Sequence, residues 1–223
     1  MWGRDRRDLR TMHIPKKILL QGATVIFLTF SSSAHAQLVL NGSFENATGS
    51  PALPNDWHPT GNMAVLSSQG ATDGSRALAF SWNNLPSNGE IWQGIATATN
   101  SLYQLSFDFG KFSVNQPALV ARLSVDIYDG VDFTGSLLLS EVVSDSTDTT
   151  SGFYNPFQFN FTALGSETTL RFRDFSDAQV SGGGFDAMLD NVAITIVPEP
   201  ATSAVFLGVG MLALAIARKR NRS

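Results

Sequence analysis

Four stretches in the middle of this 223-residue chain carry apolar residues at every second position. In Tyr103–Phe109 (YQLSFDF), Tyr103, Leu105, Phe107 and Phe109 share one parity, and Gln104, Ser106 and Asp108 share the other. Ala121–Asp129 repeats the pattern through Leu123, Val125 and Ile127, and Phe157–Leu164 through Phe157, Phe159 and Phe161. Thr168–Phe175 does so through Leu170 and Phe172, with Asp174 a weaker member of the same parity. Successive side chains of a strand leave on opposite faces, so this period specifies antiparallel sheet with one face in a core and one toward water. No sustained helical period occurs between these stretches.

Shorter runs of β-branched and aromatic residues predict further strands at Leu38–Phe44, Met63–Ser67, Arg76–Trp82, Ile91–Ile95, Leu137–Val143 and Met188–Val197. Clusters of Gly, Asn, Asp, Ser and Pro separate them; Ser144–Gly152 and Ser181–Gly184 read as loops. About ten strands at this spacing predict an all-β fold, a two-sheet antiparallel β-sandwich of the jelly-roll kind.

Both ends have a different character. Arg4, Arg6, Arg7, Arg10, Lys16 and Lys17 precede the mostly apolar Ile18–Phe30, and Ala34–Ala36 is a small-x-small cleavage pattern. Residues 1–36 are therefore expected to be a signal peptide, with Met1 or Met12 as its start. At the other end, Ala201–Ala217 is an apolar run of 17 residues, about 25 Å as a helix, which is the short end of what crosses a membrane. Arg218, Lys219, Arg220 and Arg222 form a basic tail (218–223) that would stay on the cytoplasmic side. The expected organisation is a signal peptide (1–36), a sandwich domain (37–196) and a C-terminal segment (197–223) whose residues 201–217 form a transmembrane helix.

The tails also hide the charge of the domain. The whole chain has a formal net charge of -4, yet between Gln37 and Val197 five Arg and Lys face sixteen Asp and Glu, a balance of -11. Phosphate backbones need a basic surface, so nucleic acid is excluded as a partner. There is no cysteine, which excludes disulfides, thiolate metal sites and cysteine nucleophiles.

Two resemblances follow from particular residues. Leu38–Glu45 (LVLNGSFE), the tryptophan of NDWHP and Ala187–Thr195 (AMLDNVAIT) bracket a domain that resembles the galactose-binding-like jelly rolls, among them many carbohydrate-binding modules. Val197, Pro198, Glu199 and Pro200, followed by the apolar run and the basic end, resemble the PEP-CTERM sorting signal of Gram-negative bacteria. That second resemblance implies an exosortase-type membrane transpeptidase as partner, passage through the inner membrane, and a destination at the cell surface or in an extracellular polysaccharide matrix. The first implies a structural calcium between the first and last strands, at the matching carboxylates Glu45 and Asp190; hydrogen bonds at strand ends are the alternative use of the same pair. The acidic Tyr128–Gly135 segment is a weaker cation candidate and lacks EF-hand spacing.

Sugar binding needs aromatic rings with amides and carboxylates beside them. Trp57, Trp82, Trp92 and Tyr128 are the ligand candidates, with Tyr154 in the same pool; Trp82 adjoins Asn83 and Asn84, and Trp92 lies between Glu90 and Gln93. Packing in the core is the commoner use of each of these rings in a sandwich. His58 is the sole histidine of the domain, in a segment that reads as a loop, and no G-x-S-x-G motif or phosphate-binding loop accompanies it. The expected function is a non-catalytic, exported surface or matrix protein that binds glycan; a hydrolase of extracellular polysaccharide and a purely structural coat protein are the alternatives. Rings exposed together on one face would favour glycan binding, and His58 held against two carboxylates would favour the enzyme.

Overall fold

The computed structural model describes residues 38–67, 69–82, 86–116, 118–147, 153–178, 184–198 and 218. The expected signal peptide and transmembrane run lie outside them, as do Glu199 and Pro200 of the sorting motif. Among the described residues no helix is long and apolar enough to cross a membrane.

The described residues form twelve strands: β1 (Ala47–Thr48), β2 (Leu53–Pro54), β3 (His58–Thr60), β4 (Met63–Leu66), β5 (Ala77–Phe80), β6 (Glu90–Ala96), β7 (Leu102–Val114), β8 (Ala121–Asp129), β9 (Leu137–Asp145), β10 (Phe153–Thr162), β11 (Glu167–Asp174) and β12 (Gly184–Ile196). They form two five-stranded antiparallel sheets, ordered β10-β7-β12-β5-β4 and β3-β6-β11-β8-β9, with β1 and β2 as a separate ribbon. Neighbouring strands are mostly distant in sequence, so each sheet is closed by long connections rather than by successive hairpins.

The alternating parities meet between the sheets. Phe107 of β7 and Phe172 of β11 are both buried and touch edge to face, with ring centroids 5.2 Å apart. Phe157, from edge strand β10, stacks beside Phe107 at 5.6 Å. Asp174, the polar member of its parity, does point inward and is buried, where Ser81 Oγ and Ser176 Oγ donate to its carboxylate at 2.7 and 2.6 Å.

One predicted strand is absent. Leu38–Phe44 forms turns, because Asn41 and Phe44 adopt left-handed backbone with φ of 49° and 55°. The segment lies along β12 through isolated bonds only, Leu38 N–H to Ile194 O and Val192 N–H to Gly42 O. Buried Gln93 on β6 holds it in place, donating to Leu40 O and Asp56 O and accepting from Leu40 N–H. Strands β1 to β3 were not predicted, and His58, read as a loop residue, opens β3. β12 begins at Gly184, inside the expected Ser181–Gly184 loop.

Candidate functional site

Each sheet has an outer face, and the two differ in what covers them. On the sheet containing β11, the registers align one residue from every strand in a single row: His58 opposite Trp92, Trp92 opposite Arg171, Arg171 opposite Asp126, and Asp126 opposite Ser140. Inward parity on these strands belongs to Ile91, Phe172, Val125 and Ile127, all fully buried, so the row faces out. Gly94 and Thr169 stand beside it in the next row, opposite Tyr128. A Cβ added at Gly94 would meet nothing within 4 Å, so the surface beyond Trp92 is open.

Arg171 is the hub of the row. Its Nη2 donates to Asp126 Oδ2 at 2.8 Å and to the Tyr128 hydroxyl at 2.7 Å, and Nη1 lies 3.9 Å from Glu90 Oε2. Burial works against its charge, but the Asp126 hydrogen bond and the neighbouring Tyr128, Asp126 and Glu90 groups outweigh that and raise its pKa. Ser140 Oγ donates to the second carboxylate oxygen of Asp126 at 2.7 Å.

Four rings surround this network. His58 lies parallel to Trp92 at 3.9 Å. Phe133, from the β8–β9 loop, meets Trp92 and Tyr128 edge-on at 5.5 and 5.6 Å, and the Arg171 guanidinium sits 4.7 Å from its centroid. Trp92, Tyr128 and Phe133 are each half-buried and His58 is exposed. The face therefore offers apolar ring surface interleaved with hydroxyl, carboxylate and guanidinium groups, a composition suited to a ligand with an apolar face and a hydroxylated edge.

The outer face of the other sheet is covered over β5 and β12, while Gln158 and Asn160 of β10 stay exposed. The loop between β4 and β5 lies over it and is fastened at four points. Gln69 Nε2 donates to Asp186 Oδ2 at 2.7 Å, and Thr72 and Asp73 N–H groups donate to Asp190 Oδ2 at 2.6 and 3.0 Å. The Tyr154 hydroxyl donates to Gly70 O, and Ser75 and Arg76 N–H groups donate to Glu45 Oε1 at 2.6 and 2.7 Å. Beneath it, Ala77, Ala79 and Met188 form a small second core with Leu66, Phe112 and Tyr154 against it.

Glu45 and Asp190 thus converge on one loop from opposite ends of the domain, as a shared calcium would require, but with the wrong chemistry around them. Calcium takes six to eight oxygens. Here Asp190 Oδ2 accepts from two N–H groups and the Thr72 hydroxyl, Oδ1 accepts from Asn191 N–H, and both oxygens of Glu45 accept from Ser75 or Arg76. Donors aimed at these oxygens repel a cation, so the pair as arranged is a loop clamp and does not fit a calcium shell. Among the described residues no three acidic or histidine side chains cluster in a way that could hold a metal. The Ser75 hydrogen bonds, above all, hold the Glu45 pKa below the usual range, while burial raises that of Asp190 against its hydrogen bonds. In the acidic Tyr128–Gly135 segment, Asp132 folds back onto Thr134 N–H and Oγ1 as a local turn.

Of the predicted ligand rings, the structure brings Trp92 and Tyr128 together. Trp57 is a core residue: it is buried between Phe44 and Phe172 and its indole N–H donates to Asn41 O. Trp82 lies apart from this face, in a groove near β4. Gln93, predicted beside Trp92 as a polar partner, points inward. Sequence reasoning missed His58, Phe133, Arg171 and Asp126 as members of the site. The outward parity of Arg171 and Asp126 was visible, but the register that joins them was not. Of the sorting motif, Val197 N–H donates to Leu102 O, and Pro198 is exposed.

No family model and no curated protein sequence matches this chain. Among solved structures it is similar to the carbohydrate-binding module TmCBM61 in complex with β-1,4-galactotriose. The identity is 15%, the alignment covers 73% of this chain and 99% of that one, and the TM-score is 0.51. It also aligns with arabinose-bound MgGH51 α-L-arabinofuranosidase (16% identity, 73% of this chain and 26% of that one, TM-score 0.48). A third similar structure is the CBM22-1 xylan-binding domain of Paenibacillus barcinonensis Xyn10C (18% identity, 74% and 97%, TM-score 0.44). At these identities the likeness is one of fold: the domain is a two-sheet antiparallel sandwich of the architecture seen in carbohydrate-binding modules.

Proposed function

We propose that this chain is an exported, non-catalytic glycan-binding protein, and that the outer face of the β11 sheet is where it binds. The observation that carries the reading is the five-strand row His58–Trp92–Arg171–Asp126–Ser140 with Phe133 and Tyr128 beside it. A sandwich that needed only to be stable would gain nothing from placing rings and a partly buried ion pair on a face it leaves open. Arg171 engages both carboxylates of the face, Glu90 and Asp126, and His58 is stacked on a ring rather than set against them. That arrangement lacks the separated acid and nucleophile of a glycoside hydrolase. Export and sorting rest on the two terminal segments: the signal peptide would carry the domain across the inner membrane, and an exosortase-type transpeptidase would read Val197–Pro200 and send it to the cell surface or matrix.

The test is binding of the purified protein to a polysaccharide array, beginning with β-1,4-galactan because the similar module is seen with β-1,4-galactotriose. Trp92→Ala should weaken the positive signals at least tenfold, about 1.4 kcal/mol, without an equal loss of stability. A blank array would instead support the structural coat protein.

A further inference from the structure

An open groove lies away from this face. Three chain segments line it: Pro51 and Leu53 from the β1–β2 ribbon, Asn62 and Met63 at the start of β4, and Trp82 with Asn88 from the β5–β6 connection. Its volume is about 440 Å³, inside the range of small-molecule sites. Trp82 is half-buried, so its ring is shared between the protein and the groove.

The walls are drawn together by contacts that only particular residues allow. A Cβ at Gly61, where φ is +75°, would sit 2.1 Å from Asn88 O, and one at Gly89 would sit 2.6 Å from Asn62 O. Asn62 N–H donates to the Asn88 side-chain oxygen at 3.0 Å, and Asn88 N–H donates to Pro86 O at 2.9 Å. The placement of Trp82 is fixed from behind. Ser81 before it is buried in left-handed backbone with φ of 64°, a conformation costly for a residue with a side chain. Its hydroxyl is held by Asp174 Oδ2 at 2.7 Å and by the Ser87 hydroxyl at 2.9 Å. That strained turn is what swings Trp82 off the end of β5 and into the groove.

We infer that this groove is a second, independent binding site for an uncharged sugar, taken as a single unit or a chain end. The chemistry of the lining selects the ligand. Among the described residues no charged side chain lines it, so they offer nothing to a carboxylated or sulfated group. The indole, proline, leucine and methionine surfaces suit the apolar face of a pyranose, and the two asparagine side chains suit its hydroxyls. Strand β3 connects the two sites directly: His58 belongs to the outer face, and Gly61 and Asn62 lie just past the end of the same strand. A chain with both sites would hold a polysaccharide at two points, which raises avidity and permits crosslinking.

The experiment is titration of the purified full chain with methyl β-D-galactopyranoside, methyl β-D-xylopyranoside and glucuronate, read by calorimetry and by tryptophan fluorescence. In the Trp92→Ala background, which removes the central ring of the outer face, at least one neutral glycoside should still bind saturably and glucuronate should not. Trp82→Ala should weaken it at least tenfold. Leu53→Phe, which fills the groove from the opposite wall, should do the same and guards against a Trp82 variant that fails to fold. No saturable binding of either glycoside, binding equally strong in both groove variants, or loss of binding in Trp92→Ala would each overturn the second site. Because the proposed outer-face site is judged with long polysaccharide and Trp92, either site can fail without the other.

Discussion

Arg171 Nη2 serves two acceptors and its Nε, buried, has none, so this guanidinium is fixed by geometry on one side only. Its side chain and that of Asp126 are 15% and 7% exposed, which makes the pair a largely desolvated one. Removing one member of such a pair strands the other charge. Arg171→Leu is therefore expected to lower unfolding free energy in urea by about 3 kcal/mol. Asp126→Asn in the same background should recover part of that loss, with a coupling of roughly 1–3 kcal/mol in the double-mutant cycle. Strictly additive costs would show that the pair is only a neighbourly contact. The sequence showed the outward parity of Arg171 in TTLRFRDF and of Tyr128 in ARLSVDIYD. It could not show that Arg171 and Asp126, 45 residues apart, share a register. Trp57 illustrates the converse: it lies in no periodic run, so its ring could be assigned to the core only by its contacts with Phe44 and Phe172.

Among the elements, the long strands were legible because the stretches from Tyr103–Phe109 to Thr168–Phe175 each sustain period two long enough to leave little freedom. β1, β2 and β3, of two or three residues each, are too short to carry a period. The β4–β5 loop was equally invisible, because what makes it an element is its set of clamps on β12 and on Glu45. One clamp is pH-sensitive. Burial, helped by the nearby Asp174 charge and opposed by the Gln69 hydrogen bond, pushes the Asp186 pKa up to about 6 from an ordinary 3.8. The folded chain thus holds a proton here between about pH 4 and 6 that the unfolded chain has released. This residue's contribution falls as pH rises through that window, and near pH 7 its buried carboxylate costs on the order of 3 kcal/mol. Asp186→Asn should match the wild type in melting temperature near pH 4 and exceed it progressively up to pH 7. An amide also supplies a donor for Gln69 Oε1, which is buried without a partner. A constant offset at all pH values would contradict the assignment. The same melts run with EDTA test the other clamps: with N–H donors filling the oxygens of Glu45 and Asp190, chelation should leave the midpoint in place. A drop would return calcium to that position.

At the scale of the whole chain, charge and reach bear on the proposed sorting. The sixteen acids and five bases of Gln37–Val197 make the sandwich strongly acidic, while the basic residues gather in the two ends. Such a domain, freed of both ends, stays soluble and repels an anionic surface. Among the described residues the last hydrogen bond that ties the chain to the sandwich is Val197 N–H to Leu102 O. Only Val197–Pro200 separate the end of β12 from the apolar run at Ala201, at most about 14 Å of extended chain. Pro198 and Pro200 favour that extended form and keep helix from propagating back into the motif. A membrane enzyme that reads Val197–Pro200 would work close beside the folded domain, where Val197 is tied down and Pro198 is exposed. Cells lacking the matching exosortase should then retain the full-length protein in the inner membrane fraction. A variant carrying Pro198→Ala and Pro200→Ala should accumulate there in cells that have the enzyme. Fractionation followed by immunoblotting reads both, since loss of the 201–223 segment shortens the chain measurably. An unchanged distribution in the deletion strain would sink the sorting role and leave the apolar run as a permanent anchor, holding the glycan-binding face at the membrane rather than in the matrix.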